Sequence, residues 1–129
     1  MNHWDLRSLP LRAHSPEILS TTDDARAILL DIPAGETLSD HQVHERAWVT
    51  VIDGEAEVST AAGERVQGGP GLLVEFAPAE RHAVRALTTT RLLLVLTPWP
   101  GEGHPGAMTV EEKAHVRERA AEARTARGD

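Results

Sequence analysis

The chain has 129 residues, the size of one ordinary domain, which excludes two large ones. It contains no cysteine, so disulfides and thiol nucleophiles are excluded and any metal must be held by nitrogen and oxygen. The formal net charge of −7 disfavours binding to a phosphate backbone. No stretch approaches the roughly 20 apolar residues of a membrane span. We therefore expect a cytoplasmic protein with neither nucleic acid nor a membrane as partner.

Short apolar runs alternate with turn-forming residues from about Glu17 to Leu96, a rhythm typical of a β-sandwich or β-barrel. Within this region Asp53-Gly54 predicts a tight hairpin, because Gly54 tolerates the positive φ of a type I′ turn. Residues 61–64 indicate the next reversal. The predicted strands are Glu17 to Thr21, Ala25 to Ile32, Ala47 to Ile52, Glu55 to Thr60, Glu64 to Gln67, Gly71 to Ala77, Arg81 to Leu87 and Thr90 to Thr97.

Four segments follow from these patterns. Residues 1–24 form an N-terminal segment with an edge strand, and residues 25–97 form the β-barrel. A proline and glycine linker covers residues 98–108, and a helix is predicted over residues 109–127. The helix begins with Thr109-Val110-Glu111-Glu112, which matches a capping box. Its apolar stripe is thin, so we expect it to pack lightly.

Histidines lie in two segments that could meet on neighbouring strands. His41 and His44 precede the predicted strand at Ala47, and His82 lies at the start of another strand. Neutral imidazoles together with a carboxylate suit Zn, Fe, Ni, Cu or Mn. The spacing does not choose among these metals.

These residues resemble the two signature motifs of the cupin superfamily. Gly35, His41 after five further residues, and Gly54 agree with the first motif, and Gly71 and His82, with Pro78 between them, resemble the second. The resemblance covers roughly residues 25 to 97. It implies an all-β fold, a double-stranded β-helix of the cupin or jelly-roll type, here followed by the C-terminal helix.

The first motif departs from the family pattern at two ligand positions. Val43 stands where the family has its second histidine, and Ala47 stands where it has a glutamate. By strict correspondence only His41 and His82 carry over as metal ligands.

Two neighbouring residues are candidates to complete the set. Residues 41 and 45 share a face in a regular strand, whereas 41 and 44 share one only if a bulge intervenes. The predicted metal set is therefore His41, His44 and His82, with Glu45 as a fourth ligand.

The predicted interior is mostly aliphatic. Alternation in the strand 47–52 places Ala47, Val49 and Val51 on one face, and such a lining suits a small organic ligand. Trp48 and Trp99 could line the mouth of the pocket, but we expect them at an interface or in the core. The strand Arg91–Leu96 is apolar on both faces, so its outer side must be covered by the N-terminal segment, the C-terminal helix or a second subunit. Because small cupins form dimers by packing sheet on sheet, the resemblance implies a homodimer.

Two principal functions stay open at this point. The first is a cupin that binds a divalent transition metal and a small organic molecule in the barrel. Whether it is an enzyme is undecided; as one it would be a metal-dependent dioxygenase or isomerase, with Glu45 or Glu80 as base. The alternative is a metal-free binding or sensor module whose histidines only form hydrogen bonds to the ligand. A purely structural dimer is a third, weaker hypothesis.

Overall fold

The computed structural model describes residues 1–41 and 43–101, and of residues 39–41 the backbone alone. This part of the chain is all-β. The predicted helix at 109–127 and most of the linker lie outside the described residues. Within the described ranges, no helix is both long and apolar enough to span a membrane. The strands are β1 Glu17–Thr21, β2 Arg26–Ile32, β3 Thr37–His41, β4 Arg46–Asp53, β5 Ala56–Thr60, β6 Arg65–Gly68, β7 Leu73–Phe76, β8 His82–Ala86 and β9 Thr90–Thr97.

The strands form two antiparallel sheets that share one core. The five-stranded sheet has the order β1-β2-β9-β4-β7, and the four-stranded sheet has the order β3-β8-β5-β6. All eight predicted strands are present, with ends that differ by at most two residues. Strand β3 was missed, because the sequence of residues 37–41 contains a single apolar residue, Leu38. This segment is a strand because it pairs with β8, where Leu38 lies opposite Val84.

The turn at Asp53-Gly54 connects the two sheets. Strands β4 and β5 belong to different sheets, so the prediction of a tight hairpin was wrong. The predicted backbone conformation is nevertheless present, since Gly54 has a φ of +89°. The turn is held by the start of β9, where the Thr90 hydroxyl donates to the Glu55 carbonyl at 2.9 Å. A local turn signal reports the backbone conformation and not which strands pair.

The core lies between the two sheets and follows the alternation of β4. Ala47, Val49 and Val51 are buried, as predicted, while Trp48 and Thr50 on the other face are only half-buried. The remaining buried apolar residues of this core are Leu30, Ile32, Ala56, Val58, Phe76, Val84, Ala86, Leu92 and Leu96.

The N-terminal segment covers one end of the outer face of the five-stranded sheet. Arg91 on that face donates to both carboxylate oxygens of Asp31 at 2.8 and 2.9 Å, and the hydrogen bond to Asp31 raises the pKa of Arg91. The same guanidinium donates to the backbone carbonyls of Leu6 and Leu9 at 3.0 and 2.6 Å. Farther along β9, Leu93 is half-buried. The homodimer stays a prediction.

Replacing Gly54 by alanine is expected to destabilise the fold by about 3 kcal/mol, because a positive φ and a steric clash act together. A Cβ at this position would lie 2.3 Å from the Thr89 carbonyl oxygen. Gly63 is the matched control, since its φ is +96° but a Cβ there would meet nothing within 4 Å. The free energy of unfolding of Gly63→Ala should fall by only about 1 to 2 kcal/mol. Urea unfolding of both variants measures the difference, and equal losses would contradict the packing argument at the turn.

Candidate functional site

His82 is a buried histidine at the beginning of β8. Its side chain and backbone together are only 5% exposed, and its backbone lies directly opposite that of His41 in the β3–β8 pairing. The Nδ1 atom lies 3.0 Å from the carbonyl oxygen of Glu80. Because a carbonyl only accepts, Nδ1 carries a proton, and in the neutral ring Nε2 is then the nitrogen with the lone pair.

The ring of His82 is stacked on Phe76. The two ring centroids are 3.8 Å apart and the planes differ by 7°. Phe76 in turn lies opposite Ala47 across the β4–β7 pair. Ala47 occupies the position at which the cupin motif has its glutamate, so the chain has a methyl group there. Its neighbour across the sheet is the phenyl ring that stacks on His82.

Glu45 is the most deeply buried acidic residue among those the structure describes, with 1% exposure. Its Oε2 accepts a hydrogen bond of 2.6 Å from the backbone N–H of Gly101. A Cβ at position 101 would lie 2.9 Å from this same oxygen and from the His44 carbonyl oxygen, so the close approach requires glycine. The carboxylate thereby holds the chain that follows β9.

The structure describes three of the four predicted ligands with their side chains and His41 by its backbone alone. His41 and His82 are brought opposite each other by strand pairing, whereas His44 and Glu45 line a cavity to which His82 does not contribute. His44 is exposed. Among the side chains that the structure describes, those of residues 1–38 and 43–101, no group of three or more His, Asp or Glu is placed so that it could hold a metal ion. The set that includes His41 stays a prediction.

Glu80, the other residue expected as a base, lies in the turn before β8. Its Oε1 accepts a hydrogen bond of 2.9 Å from the backbone N–H of Ala77. The same turn contains Ala79, whose φ is +65°. The Glu80 side chain therefore stabilises the turn that positions His82, a contact that the sequence analysis did not predict.

An apolar cavity of about 350 Å³ opens between β2, β9 and β3. Its polar lining comes from His44 and Glu45 alone among the described residues. The full lining consists of Pro16, Ile28, Leu30, Leu38, Val43, His44, Glu45, Leu94, Leu96 and Trp99. The lining is mostly aliphatic, but Ala47, Val49 and Val51, which the alternation predicted for the pocket, pack in the core and do not line this cavity.

Trp99 forms one wall of this cavity and also packs against the core. Its backbone N–H donates to the Asp24 carbonyl at 3.2 Å, and the Arg26 guanidinium lies over the indole ring at 4.0 Å. Trp99 thus has both the core placement that was expected and the place at the cavity that the sequence left as the alternative. The residues that hold it, Asp24 and Arg26, lie more than 50 positions away, so the linker sequence does not predict them.

The architecture and the two motifs can now be compared with known proteins. A family model described as "Cupin domain" matches residues 28–98, more than half of the chain. The chain belongs to the cupin domain family. No curated protein matches it. The matched region begins in β2 and ends directly after β9, so it contains both sheets except for β1.

Solved structures show the same fold. An RmlC-like cupin protein from Desulfovibrio desulfuricans has a TM-score of 0.66 at 19% identity, covering 76% of this chain and 96% of that one. A cupin superfamily protein from Desulfitobacterium hafniense has a TM-score of 0.63 at 15% identity, with coverages of 71% and 85%. KdgF from a Halomonas species has a TM-score of 0.60 at 22% identity, with coverages of 65% and 79%. This cupin is thus a double-stranded β-helix, as expected.

The family often binds metals, and the donors of this cupin fit that role poorly. At the two altered ligand positions, Val43 packs against the core and Ala47 is fully buried. The Glu45 carboxylate, the nearest replacement in the sequence, is bonded to the Gly101 amide. Two residues match the family's ligand positions. His82 is buried, and His41 is described by its backbone alone.

Replacing Glu45 by alanine should destabilise this cupin by about 1 to 3 kcal/mol, because the buried Gly101 N–H would lose its acceptor. Glu45→Gln keeps an acceptor oxygen, so its free energy of unfolding should fall by less. The control is Glu75→Ala, which removes an exposed ion pair of 2.9 Å with Arg46 and should lose under about 1 kcal/mol. Urea unfolding compares the three variants. A loss for Glu45→Ala no larger than for Glu75→Ala would show that the bond contributes nothing.

Proposed function

We propose that this cupin binds a small organic molecule in the cavity walled by β2, β9, β3 and Trp99, and that the binding needs no metal. The observation that carries the proposal is the cavity itself, with a volume of about 350 Å³ and an almost entirely apolar lining. This volume lies within the range of ordinary ligand pockets, roughly 300 to 1,000 Å³. An apolar cavity with few polar groups is the usual form of such a site.

The walls support binding because they are held in place before a ligand arrives. Ile28 and Leu94 lie opposite each other in the β2–β9 pairing, so the floor is part of a hydrogen-bonded sheet. Trp99 is fixed by the Asp24 carbonyl and by Arg26, and the chain beyond it by Glu45. A preformed site saves the free energy of ordering its side chains on binding.

Binding is favoured over catalysis by the polar groups at the cavity. Of the two polar residues in the described lining, Glu45 already accepts the Gly101 N–H and His44 lies at the exposed edge. Glu80, the other candidate base, is bonded to the turn before β8. General acid and base chemistry needs a titrating side chain within hydrogen-bond reach of the reacting atom. The described lining supports a receptor better than it supports an active site.

Filling the cavity should abolish ligand binding. Leu38 lines it and is 36% exposed, so Leu38→Trp can occupy the space without disturbing the buried core. Leu73→Trp is the control, since Leu73 is 55% exposed and does not line the cavity. Saturation-transfer NMR with a fragment mixture of neutral, anionic and cationic compounds should give hits for the wild type and Leu73→Trp that Leu38→Trp loses. Hits shared equally by all three proteins, or none for the wild type, would refute the proposal.

A metal centre is the second candidate function, favoured by one observation. The β3–β8 register places the backbones of His41 and His82 opposite each other, and the Nδ1–H of His82 is held by the Glu80 carbonyl. A histidine whose second ring nitrogen is bound to a carbonyl is the common arrangement of a metal ligand. In this alternative His44 or Glu45 would complete the set.

Metal content separates the two candidates. We expect protein purified without a tag or chelator, then incubated with Zn, Fe, Ni and Mn, to carry far less than one metal per chain after gel filtration. The reason is that Ala47 stands in place of the motif's glutamate and that the neighbour stacked on His82 is the apolar ring of Phe76. Elemental mass spectrometry measures it. One equivalent of metal that His82→Ala loses, and that the exposed-site control His14→Ala retains, would establish the metal centre instead.

A further inference from the structure

The lining of the cavity contains no Lys or Arg among its described residues. Eight of the ten lining residues are apolar, and the remaining two are His44 and Glu45. We propose that the ligand is a compact, uncharged and mainly apolar molecule, and that anionic analogues of the same shape are rejected. This inference rests on the proposed function and specifies its ligand class.

An anion would lose free energy at two steps on entering. Its charge would leave water for a wall of aliphatic side chains, which is unfavourable unless a counter-charge or several hydrogen bonds replace the water. Of the two polar residues in the described lining, Glu45 is a carboxylate whose oxygen already accepts the Gly101 N–H, and His44 is exposed. An uncharged apolar molecule meets neither penalty and gains from burial against Ile28, Leu94 and the indole of Trp99.

Arg26 does not change this balance. Its guanidinium lies over the Trp99 ring at 4.0 Å, and its Nε donates to the Thr21 hydroxyl at 3.1 Å. Arg26 is not among the residues that line the cavity. The Arg26 guanidinium contacts Trp99 and Thr21 and does not line the cavity.

Two fluorescent probes with one ring skeleton test the class directly. N-phenyl-1-naphthylamine is uncharged at pH 8, and 1-anilinonaphthalene-8-sulfonate adds a single sulfonate to the same rings. In about 0.15 M salt, which screens the long-range repulsion from the net charge of −7, the uncharged probe should bind the wild type at least about tenfold more tightly.

A charge placed in the wall should reverse the preference. Leu38→Arg puts a cation at the cavity from a partly exposed position, so the sulfonate probe should gain about tenfold and the uncharged probe should weaken. Leu73→Arg adds the same charge at an exposed leucine away from the cavity and should leave both affinities unchanged. This pair separates a local effect of the wall from a general effect of net charge.

Three results would overturn the inference. The sulfonate probe binding the wild type as tightly as the uncharged probe, with Leu38→Trp abolishing both, would show that the site is real but the ligand class is wrong. Equal gains of the sulfonate probe in Leu38→Arg and Leu73→Arg would assign the selectivity to net charge. Binding of neither probe would also refute the ligand class. In that case fragment hits lost in Leu38→Trp would preserve the proposed function, and their absence would end both proposals.

Discussion

The shape of the cavity depends on the buried hydrogen bond from the Gly101 N–H to the Glu45 carboxylate. Arg46 and Thr97 are the last paired residues of β4 and β9 at this end of the sheet, so the bond continues their contact beyond the regular ladder. It is charge-assisted and shielded from water, which makes it stronger than an exposed one. Because it fixes the chain on the far side of Trp99, it helps to hold the indole, together with the Asp24 carbonyl and Arg26. The Trp99 wall of the cavity therefore depends on this contact.

Apolar side chains pack around His82 in the interior of the barrel. Ala47 has no polar atom to satisfy, and the Phe76 ring lies flat on His82 at a centroid distance of 3.8 Å. The Nδ1–H of His82 donates a hydrogen bond to the backbone carbonyl of Glu80. No buried side-chain nitrogen or oxygen in the described part of the chain lacks a hydrogen-bond partner. Such an interior has a low dielectric, which penalises charge and favours an apolar ligand.

The features predictable from the sequence are those that depend on near neighbours. The inward set of β4 follows from alternation, and the positive φ of Gly54 follows from the Asp-Gly pair. Strand β3 could not be foreseen, because its pairing with β8 supplies what its polar sequence lacks. The same holds for Glu45 and Gly101, which are 56 positions apart. Nothing in either local sequence marks one as the partner of the other.

The two motifs carry different amounts of information about fold and chemistry. Gly54 is required by backbone geometry, and this requirement does not depend on what the barrel binds. The ligand positions have no such constraint: Val43 and Ala47 are apolar and pack into the same fold. Solved cupins under 25% identical therefore agree with this chain in architecture alone. What such a barrel can bind depends on the few side chains that face its cavity. Among the described residues these are eight apolar side chains with His44 and Glu45, whose carboxylate already accepts the Gly101 N–H, and they include no Lys or Arg.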